Sequence, residues 1–334
     1  MEKGICCAGN ISVDLTYYVN TFPHEGELVH IESSGARSLG GLAANCIIDL
    51  ATLDPELKLV LAGNVGNDEY GDFCRSVFSR YKNIDPSGLK CLGDTAYTLA
   101  ISNPAANSRT FFTYTGGNRR FCEEDIDWDN LNVDILHVGY IFLLPALDLP
   151  DETYGTKMAR LLHTAKCHGL KTSIDVVSQS GADFAHVVPP ALKYTDYLII
   201  NEIEAQQITG ILLRDEHRLL RENMKEALLK LKEYGVTIWT IIHCPEAGFG
   251  MDEHGDFFEA DSLKLPEGYI VSTTGAGDAF CSGILYAAEK EWTLDRALIL
   301  GNSAAAASLR GVCGTEGMSS LNEVLQLYKL YGKG

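Results

Sequence analysis

A chain of 334 residues with a formal net charge of −18 carries no basic stripe able to displace counterions, which argues against nucleic acid and anionic membrane surfaces as partners. Any anionic ligand must then be held by local main-chain amides and a bound cation. A hydrophobic share of 46% is enough for one large α/β unit with a small appendage.

The 10 cysteines fall without a CxxC pair or a regular framework, a usage that predicts free thiols in a reducing cytosol. Met1-Glu2-Lys3 leads into an apolar run too short for a signal peptide. The longest apolar stretch, 138–149, is broken by Pro145 and falls short of the roughly 20 residues of a membrane-spanning helix. A soluble, cytoplasmic protein is expected.

Cys6 and Cys7 belong to a first strand. Gly9-Asn10-Ile11-Ser12-Val13-Asp14 then places an acid at a strand end, and Gly40-Gly41-Leu42-Ala43-Ala44-Asn45 places a diglycine just before a helix. Asp14 and Asn45 offer a carboxylate and an amide that can take vicinal hydroxyls, while the glycines let a ring come close. Residues 17–38 and 95–114 alternate in twos, with Tyr97, Leu99 and Ile101 on one face and Thr98 and Ala100 on the other. Asn103-Pro104-Ala105-Ala106-Asn107 is expected as a hairpin turn. These segments predict a small antiparallel sheet standing off the main body, either a lid that excludes water or an edge extension of the main sheet. The expected division is an α/β domain over 1–16, 39–94 and 115–334, with the small sheet over 17–38 and 95–114. Its apolar strands could also pair between two copies of the chain.

From residue 134 onward, short β-rich runs alternate with helical patterns, as expected of a mostly parallel sheet covered by helices on both faces. Such sheets bind ligands beyond the carboxyl ends of their strands, where Asp175 and Asn201 would emerge. His163, Cys167 and His168 share one side of a helix over 156–169, but with no further soft ligand nearby in sequence no metal is expected there. Asn201-Glu202-Ile203-Glu204 follows a strand and opens a helix, so Asn201 and Glu204 lie on one face. Oxygen ligands suit Mg²⁺. The same two residues alone read as a helix cap and its capping-box partner.

Ser272-Thr273-Thr274-Gly275-Ala276-Gly277-Asp278 runs from a strand into a helix with a small-residue face. Gly275 and Gly277 allow a concave nest of amides at the helix start, where the dipole favours an anion. Asp278 stands beside that point, kept ionised by the helix end and able to take a proton from an attacking hydroxyl.

Asp14, Gly40-Gly41 with Asn45, the run from Gly63 to Gly71, Gly116-Gly117-Asn118, Asn201 with Glu204, and Thr274-Gly275-Ala276-Gly277-Asp278 follow one another along nearly the whole chain. In this order the chain resembles the ribokinase-like, pfkB-type carbohydrate kinases. The resemblance implies a Rossmann-like α/β core with a β-sheet lid and ATP-dependent phosphorylation of a sugar hydroxyl. It makes Asp278 the catalytic base and Gly275, Ala276 and Gly277 the anion hole. Asp14, Gly40, Gly41, Asn45 and Asn118 would hold the sugar, and Asn201 and Glu204 would organise Mg²⁺ and the phosphates of ATP. Thr274, Gly248 and Asn302 would flank the nucleotide. No GxxxxGK[ST] motif occurs, and the mechanism expected is positioning and charge stabilisation without a P-loop.

Two departures bear on ligands. Ser272 stands where the family usually has Asp, an acid that helps hold a monovalent cation, so potassium activation is not expected. His243-Cys244-Pro245-Glu246-Ala247-Gly248 keeps only the last glycine of the usual nucleotide loop, which bears on donor preference. Around Tyr140 there is no carboxylate of the kind found in ribose-specific members, so another monosaccharide or a sugar acid is expected. Arg109, Arg119 and Arg120 read as solvated surface charges that could meet an acidic sugar or a phosphate. The alternatives are a nucleoside kinase of the same fold and a catalytically idle sugar-binding regulator.

Overall fold

The structure, a computed structural model, describes residues 4–106 and 108–332. Its centre is a nine-stranded sheet in the order Phe257–Asp261, Ala247–Met251, Trp239–His243, Tyr197–Asn201, Lys171–Val176, Ile135–Ile141, Ile5–Gly9, Leu59–Val65 and Ile84–Cys91. The strands from Trp239–His243 onward in that order run parallel, and the first two are antiparallel additions at the edge. Both faces of the parallel part are covered, which is why Ile5–Gly9 is apolar and buried throughout. Alternation along that strand sends Ile5 and Cys7 into one core and Cys6 and Ala8 into the other. The first core packs the helices Leu42–Leu53, Ala276–Glu289 and Leu294–Ser308, and the second packs Lys157–Cys167, Phe184–Leu192 and Met224–Glu233.

A separate four-stranded sheet takes the order Ser33–Gly40, Ser12–Tyr18, Ala96–Asn103, Ser108–Tyr114. Its two central strands are parallel, so it is mixed where an antiparallel sheet was expected. The strand Ser12–Tyr18 crosses the boundary expected after residue 16, because its seven residues pair continuously with Ala96–Ser102. Only the ends of 17–38 are strand; the interior, with Pro23 and Gly26, is an exposed loop in which Leu28 is 82% exposed. The hairpin turn forms at Pro104–Ala106, and Asn107, also expected in it, lies outside the described residues, as do Met1, Glu2 and Lys3. Contacts of Tyr97 with Tyr70, and of the Arg37 guanidinium with Tyr70 and Phe73, join the small sheet to the body. The outer strand Ser108–Tyr114 exposes Phe111 and Phe112.

Candidate active site

Gly9, Ile141, Val176, Asn201 and His243 end parallel strands at one edge of the main sheet. The glycine turn opens beside this edge. Gly275 caps the helix Ala276–Glu289 with φ of 81°, a left-handed conformation that a side chain would strain. A Cβ at Gly275 would also lie 2.5 Å from the main chain of Gly314. The helical ladder begins with the Ala279 N–H on the Gly275 carbonyl, so the N–H groups of Ala276, Gly277 and Asp278 precede it at the positive end of the dipole, that of Ala276 in a long 3.4 Å bond to the Thr273 carbonyl.

Asp278 is 7% exposed, and its two carboxylate oxygens have different partners. Asn45 Nδ2 donates to Oδ2 at 2.7 Å, and the Tyr140 hydroxyl donates to Oδ1. Burial pushes the Asp278 carboxyl up, against the opposing effect of those two hydrogen bonds. This corrects the expectation that the helix end dominates: desolvation outweighs it here, and the carboxylate is a stronger proton acceptor for it. Tyr140 itself is pushed well above the usual phenol range, by burial first and by Asp278 second, so it stays a hydroxyl donor.

The pocket expected around Asp14 and Asn45 converges on the same point. Asn45 lies in the first turn of Leu42–Leu53, and its Oδ1 is buried with no hydrogen-bond partner among the described residues, an acceptor available to a ligand hydroxyl. Asp14 sits on the small sheet, and burial followed by the field of Asp278 raises it to about 6. A Cβ at Gly40 would overlap the Asp14 carboxylate, and Gly41, with φ of 87°, packs against Asn10 so closely that a Cβ would lie 2.5 Å from its carbonyl oxygen.

A second acidic group stands alongside. Asn201 and Glu204 form the capping box of Glu202–Thr209: Asn201 Oδ1 accepts from the Ile203 and Glu204 N–H groups, each at 2.9 Å, and Glu204 Oε2 accepts from the Asn201 N–H at 2.9 Å. Ser178 Oγ donates to Glu204 Oε1 at 2.8 Å. Glu204 is 4% exposed and burial raises it to about 7, while Asp175 is raised well above the usual range by burial, then by Glu204 and Asp278. Three buried carboxyl groups, with Asp175 in the field of both Glu204 and Asp278 and only oxygen donors offered, fit a hard dication such as Mg²⁺.

Other expected residues are engaged elsewhere. Asn118 is fully buried and holds the main chain of Ile11, donating from Nδ2 to the carbonyl at 2.9 Å and accepting from the N–H at 3.4 Å, so its amide serves the start of the small sheet. Asn302 Nδ2 donates to the Ala260 and Asp261 carbonyls at 2.8 and 3.3 Å, tying Leu294–Ser308 to the edge strand. Gly248 lies within the strand Ala247–Met251, where a Cβ would meet the Phe280 ring at 3.1 Å, so it is a packing glycine and not a loop glycine. Thr274 does face the small sheet: Arg109, exposed as expected, donates to its hydroxyl at 2.7 Å across the cleft. Arg119 lies against Tyr114 and Thr115 instead. Ser272 Oγ accepts from the Thr274 N–H at 3.2 Å, a neutral partner in place of an acid.

Sequence reasoning missed three participants. Tyr140 ends an apolar strand and carries no spacing signal. His243 lies against the glycine turn, its Cε1 3.4 Å from where a Gly277 Cβ would be, and burial lowers it to about 4, leaving a neutral imidazole there. Gly314 closes over Gly275, within a glycine-spaced segment (Gly311, Gly314, Gly317) that could have drawn attention.

A family model for pfkB family carbohydrate kinases matches residues 2–319. A ribokinase of Staphylococcus aureus is 23% identical over 331 residues, covering 98% of this chain and 100% of the relative. A nucleoside kinase of Methanocaldococcus jannaschii is 22% identical, covering 91% of this chain and 89% of the relative. Among solved structures, Arabidopsis thaliana ribokinase complexed with ribose and ATP superposes with a TM-score of 0.81 at 18% identity, covering 98% of this chain and 99% of that one.

Proposed function

The chain belongs to the pfkB family of carbohydrate kinases and is a phosphotransferase with an alcohol group as acceptor, and from that premise we propose that it transfers the γ-phosphate of ATP to a hydroxyl of a monosaccharide or sugar acid. The observation that carries this reading is the convergence of Asp278, Asn45 and Asp14 at the mouth of an amide-lined helix start. Asn45 Oδ1 and Asp14 hold neighbouring hydroxyls of the acceptor, and the reacting hydroxyl gives its proton to Asp278 as its oxygen bonds to the γ-phosphorus; the bond to the β-phosphate oxygen breaks, and ADP leaves. The N–H groups of Ala276, Gly277 and Asp278 take up the charge on the transferring group. Tyr140 and Asn45 hold the carboxylate in place throughout. Glu204 would hold Mg²⁺ with Asp175 in place of the expected Asn201, whose Oδ1 caps the helix Glu202–Thr209; when bound the ion would neutralise phosphate charge. With Ser272 neutral where an acid is usual, potassium activation is not expected.

The test is ADP release with a panel of sugars, sugar acids and nucleosides. Turnover of at least one sugar or sugar acid is expected. Turnover confined to adenosine or inosine would favour the nucleoside branch, and tight sugar binding without ATP binding would favour a regulator.

Arg109 donates from the small sheet to Thr274 beside the glycine turn, which supports a contact with the donor phosphates. Arg109→Ala is expected to lower kcat/KM about tenfold, the ~1.4 kcal/mol of one charge-assisted hydrogen bond. Steady-state kinetics with varied ATP check this, and an unchanged value would remove Arg109 from the site.

The acidic cluster makes a pH prediction. Glu204, raised from 4.5 to about 7, and Asp14, raised from 3.8 to about 6, both bind a proton more tightly in the folded chain. Without a cation, stability therefore falls as pH rises from the unfolded values through the folded ones, and the loss is complete above about 7. A cation on Asp175 and Glu204 favours the ionised forms and reverses that loss. Millimolar Mg²⁺ is expected to raise Tm at about pH 8 and to have little effect at about pH 5, with the difference removed in Glu204→Gln. Equal shifts at both pH values would contradict the assignment.

A further inference from the structure

Beneath the pocket, where the Cys46 thiol donates to the Asp278 main-chain carbonyl at 3.5 Å, three soft ligands meet. Cys46 Sγ, Cys281 Sγ and a ring nitrogen of His137 lie within 4.8 Å of one another, all fully buried. Cys281 Sγ and His137 Nε2 are 3.5 Å apart. For bonds of about 2.3 and 2.0 Å meeting at a tetrahedral angle on zinc, the sulfur-to-nitrogen separation is roughly 3.5 Å. The ring is aimed by its other nitrogen, since His137 Nδ1 and Ser173 Oγ are 2.9 Å apart, the kind of outer hydrogen bond that fixes a ligating imidazole.

Asp49, on the same helix as Cys46, is fully buried beside the cluster with neither carboxylate oxygen hydrogen-bonded among the described residues. Cys7 stands in register with His137 on the adjacent strand and interacts with Cys46, adding a thiol on the same side. Thiolate and imidazole donors select zinc over Mg²⁺, which prefers oxygen.

We infer that Cys46, His137 and Cys281 form a zinc site beneath the active-site floor. Binding replaces two thiol protons, which leave to solvent, with two zinc–sulfur bonds, so a dication and two thiolates sit in the core with no net charge. Each ligand comes from a different element and neighbours a pocket residue: Cys46 follows Asn45, His137 shares a strand with Tyr140, and Cys281 lies one turn beyond Asp278. Zinc therefore braces the three segments that position the Asp278 carboxylate, and the bracing does not depend on which acceptor the enzyme uses.

The experiment is elemental analysis of the full chain purified without chelator, followed by Co²⁺ exchange and absorption spectroscopy. About one equivalent of zinc is expected, with a thiolate-to-Co²⁺ charge-transfer band and the visible bands of a tetrahedral ion. The double variant Cys46→Ser with Cys281→Ser should hold less than a tenth of that metal, and Zn²⁺ should raise Tm of the wild type but not of this variant. Should the double variant fail to fold, the wild-type Co²⁺ spectrum decides by itself: charge-transfer intensity upholds the site, and its absence overturns it. Zinc below a tenth of an equivalent even after refolding with Zn²⁺, or retained in full by the double variant, would overturn it as well.

Discussion

Asp278→Asn is expected to lower kcat by about 10²–10⁴-fold, or roughly 3–5 kcal/mol of transition-state stabilisation, while leaving the protein as stable as the wild type or more so. The substitution keeps shape and hydrogen bonding: the new amide can accept from Asn45 and donate to the Tyr140 hydroxyl oxygen, the two groups that hold the carboxylate. What it removes is a proton acceptor and a buried charge. Because burial raises the Asp278 carboxyl, the wild type bears a desolvation cost that the amide does not. Loss of rate with undiminished Tm would separate chemistry from folding; retained turnover would exclude Asp278 as the base. The wild-type rate should also fall on the acid side at a pH above the ordinary carboxylate range, since the base must be ionised.

Gly275→Ala carries the second large effect, this time through the backbone. A left-handed position costs an alanine about 1–2 kcal/mol, and forcing a methyl against packed main chain adds typically 1–3 kcal/mol. Here φ is 81° and the added carbon would stand 2.5 Å from Gly314. A loss of roughly 2–5 kcal/mol follows, measurable as a lower denaturation midpoint, together with loss of activity as the amides of the turn shift. Gly255 supplies the control, with φ of 85° and nothing within 4 Å of its added carbon. Gly255→Ala should show the left-handed strain alone and full activity. If the two variants behave alike, the tight closure of Gly314 over the turn has no energetic weight.

The features legible in the sequence are those written in local spacing. The glycine turn before Asp278, the diglycine before Asn45, the capping pair at Asn201 and Glu204 and the alternation of strand and helix each occupy a few adjacent residues, and they place the fold and the floor of the pocket. Contacts made by chain folding leave no such trace. Tyr140 reaches Asp278 across 138 residues and Arg109 reaches Thr274 across 165, so neither partner could be read from its neighbours. Asn118 and Asn302 fail for the opposite reason: an amide in a loop or helix looks available until the structure shows which carbonyl it serves. The upward shift at Asp278 depends on how deeply the closed cleft buries it, which a one-dimensional reading of helix ends does not contain. Cys46, His137 and Cys281 lie on a helix, a strand and another helix, and lack the short spacing by which a zinc motif is usually noticed. The surface group His163, Cys167 and His168 has that spacing, yet His163 packs against Tyr154 and Tyr194 and His168 stacks on Trp128.

The central claim is that acceptor hydroxyl, base and amide nest meet at one point. The most direct measurement is a crystal structure with an acceptor from the turnover panel, ADP, Mg²⁺ and aluminium fluoride. It should show the fluoride group within hydrogen-bond reach of the Ala276, Gly277 and Asp278 N–H groups, and the acceptor oxygen about 2.6–3.2 Å from an Asp278 carboxylate oxygen. An acceptor oxygen directed away from Asp278, or a fluoride group bound anywhere other than the helix mouth, would contradict it.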